Sequence, residues 1–152
     1  MPLALLPDVE RLVVGYLLAA DLSAETVDGE AVDVRGLVAD RIYSVRPNQA
    51  DYPCVTVHRW GGGPQLRGPG LRDRDEAMVQ IDCWGGTKNE AWAILDACVS
   101  ALVDGLVGEH PGGVVSRVAP ASFWDLPDVS FEPPKPRWVC DVMVATRGRR
   151  TA

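Results

Sequence analysis

The chain is expected to fold as an α+β domain, a mainly antiparallel sheet of four to five strands with two main helices packed on one face. Three observations predict it. The stretches DYPCVTVHRW, AMVQIDCW and RWVCDVMVAT alternate with the two-residue period of a strand. Two other stretches repeat apolar residues at helical spacing, and the order along the chain is helix, strands, hairpin, helix, strands.

The first helix is predicted from about Pro7 to Ala20. Pro7 suits a first-turn position, Asp8 and Glu10 favour the positive end of the helix dipole, and Val9, Leu12, Val13, Tyr16, Leu17 and Ala20 form one apolar face. DLSAETVDGEAVDV mixes Ser, Asp and Gly with isolated valines and reads as a loop with a short extended piece around Ala31 to Val34. GLVADRIYSVRP then supplies a brief turn and a short strand near Arg41 to Val45, ended by Pro47.

In the next strand Val55 and Val57 share one face, while Cys54, Thr56, His58 and Trp60 share the other. After it, Ala77, Val79, Ile81 and Cys83 point one way and Met78, Gln80, Asp82 and Trp84 the opposite way. The Gly-, Pro- and charge-rich segment between them, about 61–76, cannot fill a core and is expected to be a long, flexible hairpin loop.

WGGTKNE marks a handover from strand to helix. Gly85 and Gly86 give the tight exit, and Thr87 with Glu90 has the spacing of a capping box. The second helix runs to about Val107, with Ala91, Ile94, Leu95, Cys98, Leu102 and Leu106 as its stripe, a rod on the order of 30 Å at 1.5 Å per residue. GEHPGG ends it. VVSRVA begins a strand whose continuation SFWDL is interrupted by Pro120, PDVSFEPPKPR is irregular, and the last strand sets Trp138, Cys140, Val142 and Val144 against Arg137, Val139, Asp141 and Met143.

With 152 residues, 47% of them apolar and 24% charged, the chain has the size and composition of one soluble domain, 1–152, with a flexible tail at 147–152. Its longest apolar runs are too short to cross a bilayer, and MPLALLPDVE lacks the basic start and cleavage site of a signal peptide. Synthesis in the cytoplasm is expected. The net charge of −6 argues against a protein that coats nucleic acid, and the basic end with Arg147, Arg149 and Arg150 reads as a solvated tail.

Several chemistries are set aside. The four cysteines, Cys54, Cys83, Cys98 and Cys140, include no C-x-x-C pair, and only His58 and His110 could join them, so no metal site is expected. A nucleophile built from Cys83 or Cys140 with His58 and Asp82 or Asp141 would need an accessible, electropositive seat, whereas these thiols alternate into apolar strands. The glycines at 61–63 and 85–86 lack phosphate-loop spacing, and Lys88 reads as an exposed first-turn residue. Asp73 and Asp75 alternate with arginines as a solvated charge run, and His110 beside Pro111 reads as a loop histidine. No catalytic residue, metal or cofactor is expected.

What remains is incompleteness. Trp60, Met78, Trp84, Val139 and Met143 would leave a second sheet face without cover, and an apolar face in solvent marks an interface. In order and spacing, DRIYSVRP, DYPCVTVHRWGG, MVQIDCWGGTKNEAWAILDA and RWVCDVMVA resemble the tail terminator proteins of long-tailed phages, over nearly the whole chain from Pro7 to Ala145. The resemblance implies a non-enzymatic virion protein at the tail–head junction, made in the cytoplasm of the host bacterium. It implies a subunit of a homo-oligomeric ring, a hexamer, that caps the tail tube, stops its polymerisation and gives the head a docking surface. The partners implied are other copies, the tail tube protein and head–tail connector proteins, with DNA passing through the lumen without specific binding and no membrane involved. A connector or head-completion protein of the same neck region is the alternative. The patches expected to make these contacts are the 61–76 loop and the 127–136 segment, with Trp60, Arg67, Arg72, Arg74, Trp84, Trp124 and Arg137 as interface residues.

Overall fold

The computed structural model describes residues 6–25, 28–66 and 72–148, with backbone alone at 65, 66, 72 and 73. Helix α1, Val9–Ala19, starts at Asp8, whose carboxylate accepts the Arg11 amide at 3.2 Å; Pro7 precedes that cap instead of occupying the first turn. Strands β1, Ser23–Glu25, and β2, Ala31–Asp33, pair antiparallel as a small sheet of their own. Helix α2, Val34–Val38, is capped by Asp33 through the Gly36 amide at 3.0 Å. Then come β3, Ile42–Tyr43; β4, Cys54–Leu66; β5, Arg72–Trp84; α3, Lys88–Gly105; β6, Gly108–His110; β7, Gly113–Asp125; and β8, Arg137–Arg147.

The main sheet has the order β3-β4-β5-β8-β7-β6, six strands, and it is mixed: β3 runs parallel to β4 and the other neighbours are antiparallel. The expected four-to-five-stranded antiparallel sheet with two main helices is therefore corrected to a sheet-rich fold with a six-stranded mixed sheet, a separate two-stranded sheet and a third, short helix. Its extra strands escaped notice for physical reasons. β1 and β6 are three residues long, too short for alternation to register, while β2 and β3 fall where short extended pieces were expected, near 31–34 and 41–45. The segment expected as a loop at 61–76 is instead paired backbone, with Gly61 opposite Met78, Gly63 opposite Glu76 and Gln65 opposite Arg74; residues 67–71 lie outside the description. Ladder hydrogen bonds need no side chain, so a composition that cannot build a core still extends a hairpin. A bulge between Arg59 and Gly61 offsets the register, and Gly62, at φ 82°, brings its backbone so close to Glu76 that an added Cβ would lie 1.9 Å from the Glu76 carbonyl oxygen. Similarly, β7 continues past Pro120 because the register shift between Pro120 and Ser122 absorbs the missing donor.

The strand alternation places the core as the sequence indicates. Val55, Val57, Ala77, Val79, Ile81, Cys83, Cys140, Val142 and Val144 form one buried cluster with Leu12, Val13 and Leu17 of α1 and with Ile94, Leu95, Cys98 and Leu102 of α3. The strand residues on the opposite side, among them Thr56, Gln80, Asp82, Val139 and Asp141, do not belong to it. The capping box at α3 forms: the Glu90 amide donates to the Thr87 hydroxyl at 3.1 Å, and the Glu90 carboxylate accepts the Gly86 amide at 2.9 Å, one residue earlier than expected. Arg59 forks onto the buried Asp75 while its own amide donates to Glu10 of α1 at 2.8 Å, which pins the base of the β4–β5 extension to the helix layer.

On the helix side, α3 carries the β1–β2 pair, and two arginines tie this lobe together through backbone carbonyls. Arg35 reaches the carbonyls of Leu17, Ala20 and Ala39, and Arg41 those of Leu37 and Pro53. Those carbonyls are left over at helix ends and turns, and a guanidinium with five donors satisfies several at once.

Candidate interaction surface on the uncovered sheet face

By register, the side of the sheet away from the helices carries Thr56, His58 and Trp60 of β4; Arg74, Glu76, Met78, Gln80, Asp82 and Trp84 of β5; Arg137, Val139, Asp141, Met143 and Arg147 of β8; and Arg117, Ser122 and Trp124 of β7. The middle of this face is acidic. Asp82 and Asp141 are 6% and 9% exposed, yet they lie on a side where no helix residue joins them. Asp82 accepts the Gln80 amide at 2.8 Å with the Arg137 guanidinium at 3.8 Å, and Asp141 accepts the Trp60 indole at 3.0 Å. Burial raises the Asp82 carboxyl above its ordinary value against the pull of Gln80 and Arg137, and the neighbouring Asp141 charge adds to the rise.

Large apolar groups flank the carboxylates. Trp60 is 55% exposed and Trp124, opposite Val139, is 44% exposed. Half-exposed indoles around a polar centre are a composition typical of recognition surfaces, because each ring offers much area with little rotational freedom to lose.

The expected interface residues separate into three groups. Trp60, Trp124 and Arg137 are on this face and reach its surface. Trp84 shares the face but is covered by its own chain: the irregular Pro127–Pro136 segment folds over it, its indole donates to Asp128 at 3.0 Å, and the guanidiniums of Arg46 and Arg137 lie 5.1 and 5.6 Å from its ring centre. Burial alone would raise Asp128, but hydrogen bonds from the Ser130 hydroxyl, the Trp84 indole and the Ser130 amide, with the Arg137 charge, hold its carboxyl at about 2. The 127–136 segment, read from sequence as a contact patch, thus serves at least as the lid of Trp84. Among the arginines, Arg67 and the side chain of Arg72 lie outside the described residues. Arg74 sits directly across from Arg147, a like-charge pair, and Arg117 is nearby, opposite Ala145. Alternation puts Asp82 and Asp141 on this side without marking them as interface residues, whereas it does not place Arg117 at all, since only strand register brings it here.

A second exposed cluster was also missed. Trp92 of α3 packs edge-on to Phe123 and Trp138 at 5.7 and 4.8 Å, and Lys88 pairs with Asp125 at 2.9 Å beside it. Thr87 caps the helix just before, so this cluster fixes the helix start on β7 and β8. A groove of about 680 Å³ runs between α1 and the β6–β7 turn, lined by Leu12, Tyr16, His110 and Pro111. His110 ends β6 and packs edge-on to Tyr16 at 5.8 Å, a strand-end position where a loop was expected.

Thiol chemistry has no foothold here. All four cysteines are buried and free, and burial pushes Cys54 to about 11, Cys140 to about 12 and Cys83 well above its ordinary value, the last with Cys98 beside it. A thiol held protonated in a closed core is a poor nucleophile. Among the described residues no group of three His, Cys, Asp or Glu side chains is placed to hold a metal ion.

Residues 14–120 match the family model described as "Tail completion protein gp17". No curated relative matches the sequence at a significant level. Among solved structures, "Structure of bacteriophage SPP1 gp17 protein" superposes with a TM-score of 0.52 at 14% sequence identity, over 95% of this chain and 91% of that one. At that identity the likeness is one of fold.

Proposed function

The chain belongs to the phage tail completion protein family, and from that premise we propose that it caps the tail tube as a ring of identical subunits, a hexamer, ends tube polymerisation and presents the surface on which the head docks. The observation that carries this reading is the uncovered sheet face, where Trp60 and Trp124 stand half in solvent around the Asp82–Asp141 centre. Val139, Trp84 and Thr56 on this side are already buried within the single chain, so what is left for partners is the two indoles, and burying them against other virion proteins removes them from water. A role in assembly, without catalysis, agrees with buried, protonated thiols. The net charge of −6 agrees with DNA passing through the ring without being held.

The test is electron microscopy of particles produced without this protein. The proposal expects overlong tube-like tails and heads that fail to join them. Tails of normal length together with heads that leak DNA would assign the protein to the connector side of the neck instead. Normal, infectious particles would remove it from tail completion altogether.

A further inference from the structure

A closed ring needs two different patches on each subunit, one complementary to the other, and the charges of this chain are distributed in that way. One patch is the arginine end of the uncovered face. Arg74 and Arg147 are cross-strand neighbours, Arg117 is one strand further, and none of the three forms an ion pair among the described residues. Like charges placed directly across a ladder repel, and Glu76, next on the same face opposite Ala145, makes no ion pair with any of the three, so an external counter-charge relieves the arrangement.

The other patch is on the opposite side of the molecule. The lobe formed by β1, β2 and α2 lies behind α3, and it exposes Asp21, Glu25, Asp28, Asp33 and Asp40. Its own cations do not neutralise them, because Arg35 and Arg41 are bound to main-chain carbonyls and no ion pair among the described residues reaches these five carboxylates. The molecule is therefore polar across its thickness: sheet side basic at one end, lobe side acidic.

We propose that the Arg74–Arg117–Arg147 band of one copy docks on the acidic β1–β2–α2 lobe of the next. This rests on the ring reading and specifies which surfaces meet. Successive copies related by rotation bring unlike charges together, whereas face-to-face or back-to-back pairs bring like charges together, so the charge pattern favours head-to-tail growth over a two-fold dimer. Occupying the arginines with carboxylates also withdraws them from DNA phosphates.

The experiment uses the full-length chain in sedimentation velocity, alone and with tail tubes, at low and high salt. Two double variants are compared with the parent, Arg117→Glu with Arg147→Glu in the band and Asp21→Arg with Asp28→Arg in the lobe, each checked for native circular dichroism and melting. Each variant alone should associate on the order of a hundredfold more weakly, because like charges now meet at the two reversed positions of each contact. An equimolar mixture should recover assembly, since band-reversed and lobe-reversed copies alternate around an even-membered ring with opposite charges again facing each other at the reversed positions, and recovery should fade as salt screens the pairs. If either variant alone assembles like the parent, or if the mixture fails to recover, the assignment of these surfaces is wrong while the ring reading stands. If the parent forms no ring, in solution or on tubes, the ring reading itself fails.

Discussion

The same strands show two different chemistries on their two sides. Toward the helices, β5 presents Ala77, Val79, Ile81 and Cys83, each fully buried. Away from them it presents Arg74, Glu76, Met78, Gln80 and Asp82, and the adjoining β4 bulge holds Trp60 half in water. The first side is selected for packing, and its residues are replaceable by others of similar volume. The second carries near-buried carboxylates held by Gln80, Arg137 and Trp60, and indoles half in water. That contrast within single strands separates the packed side from the side proposed to meet partners.

The largest effect should come from the packed side. Leu95 of α3 is fully buried among the strands, and Leu95→Ala should lower the unfolding free energy by about 3 kcal/mol in urea titration, with assembly lost only in proportion to unfolding. Next comes the lid. Asp128→Ala leaves the buried Trp84 indole without its acceptor and should cost about 2 kcal/mol. Because the Asp128 carboxyl is held below its ordinary value, its contribution is complete above about pH 4 and is lost as pH falls toward 2; the variant should lack that part of the acid unfolding curve.

Two substitutions on the uncovered face should behave oppositely to these. Asp82 is raised by burial, so whatever it contributes is present below the ordinary carboxylate range and lost as pH rises through its folded value. Asp82→Asn keeps an acceptor for Gln80 and should raise the melting temperature at pH 7, by less than about 1 kcal/mol in free energy, with no gain at pH 3. Trp60→Ala removes a half-exposed ring and one hydrogen bond, so monomer stability should change by less than about 1 kcal/mol while association with tubes or other copies weakens measurably. A large loss of monomer stability in the Trp60 variant would make that side a second core.

Much of the packed side was legible in the sequence. Alternation in AMVQIDCW and RWVCDVMVAT assigned each residue to its face, and Thr87 with Glu90 located the start of α3, because both signals depend on local spacing alone. Trp60 was placed on its face by the same alternation, whereas no spacing signal placed Trp124. What could not be read depends on pairing between distant segments. The β4–β5 extension is held by backbone bonds through a glycine-rich stretch, and the parallel β3 contact is two residues long. Arg117 joins Arg74 and Arg147 only through the β7–β8–β5 register, and Trp84 appeared free until the 127–136 segment was seen to close over it.

Hydroxyl-radical footprinting of the isolated chain and of assembled virions, read at Trp60 and Trp124 by mass spectrometry, bears most directly on the claim that the helix-free side of the sheet is the binding side. Strong oxidation of both indoles in the isolated chain, falling several-fold in virions while exposed Val45 stays unchanged, is the expected result. Equal oxidation of both tryptophans in the two states would contradict the account.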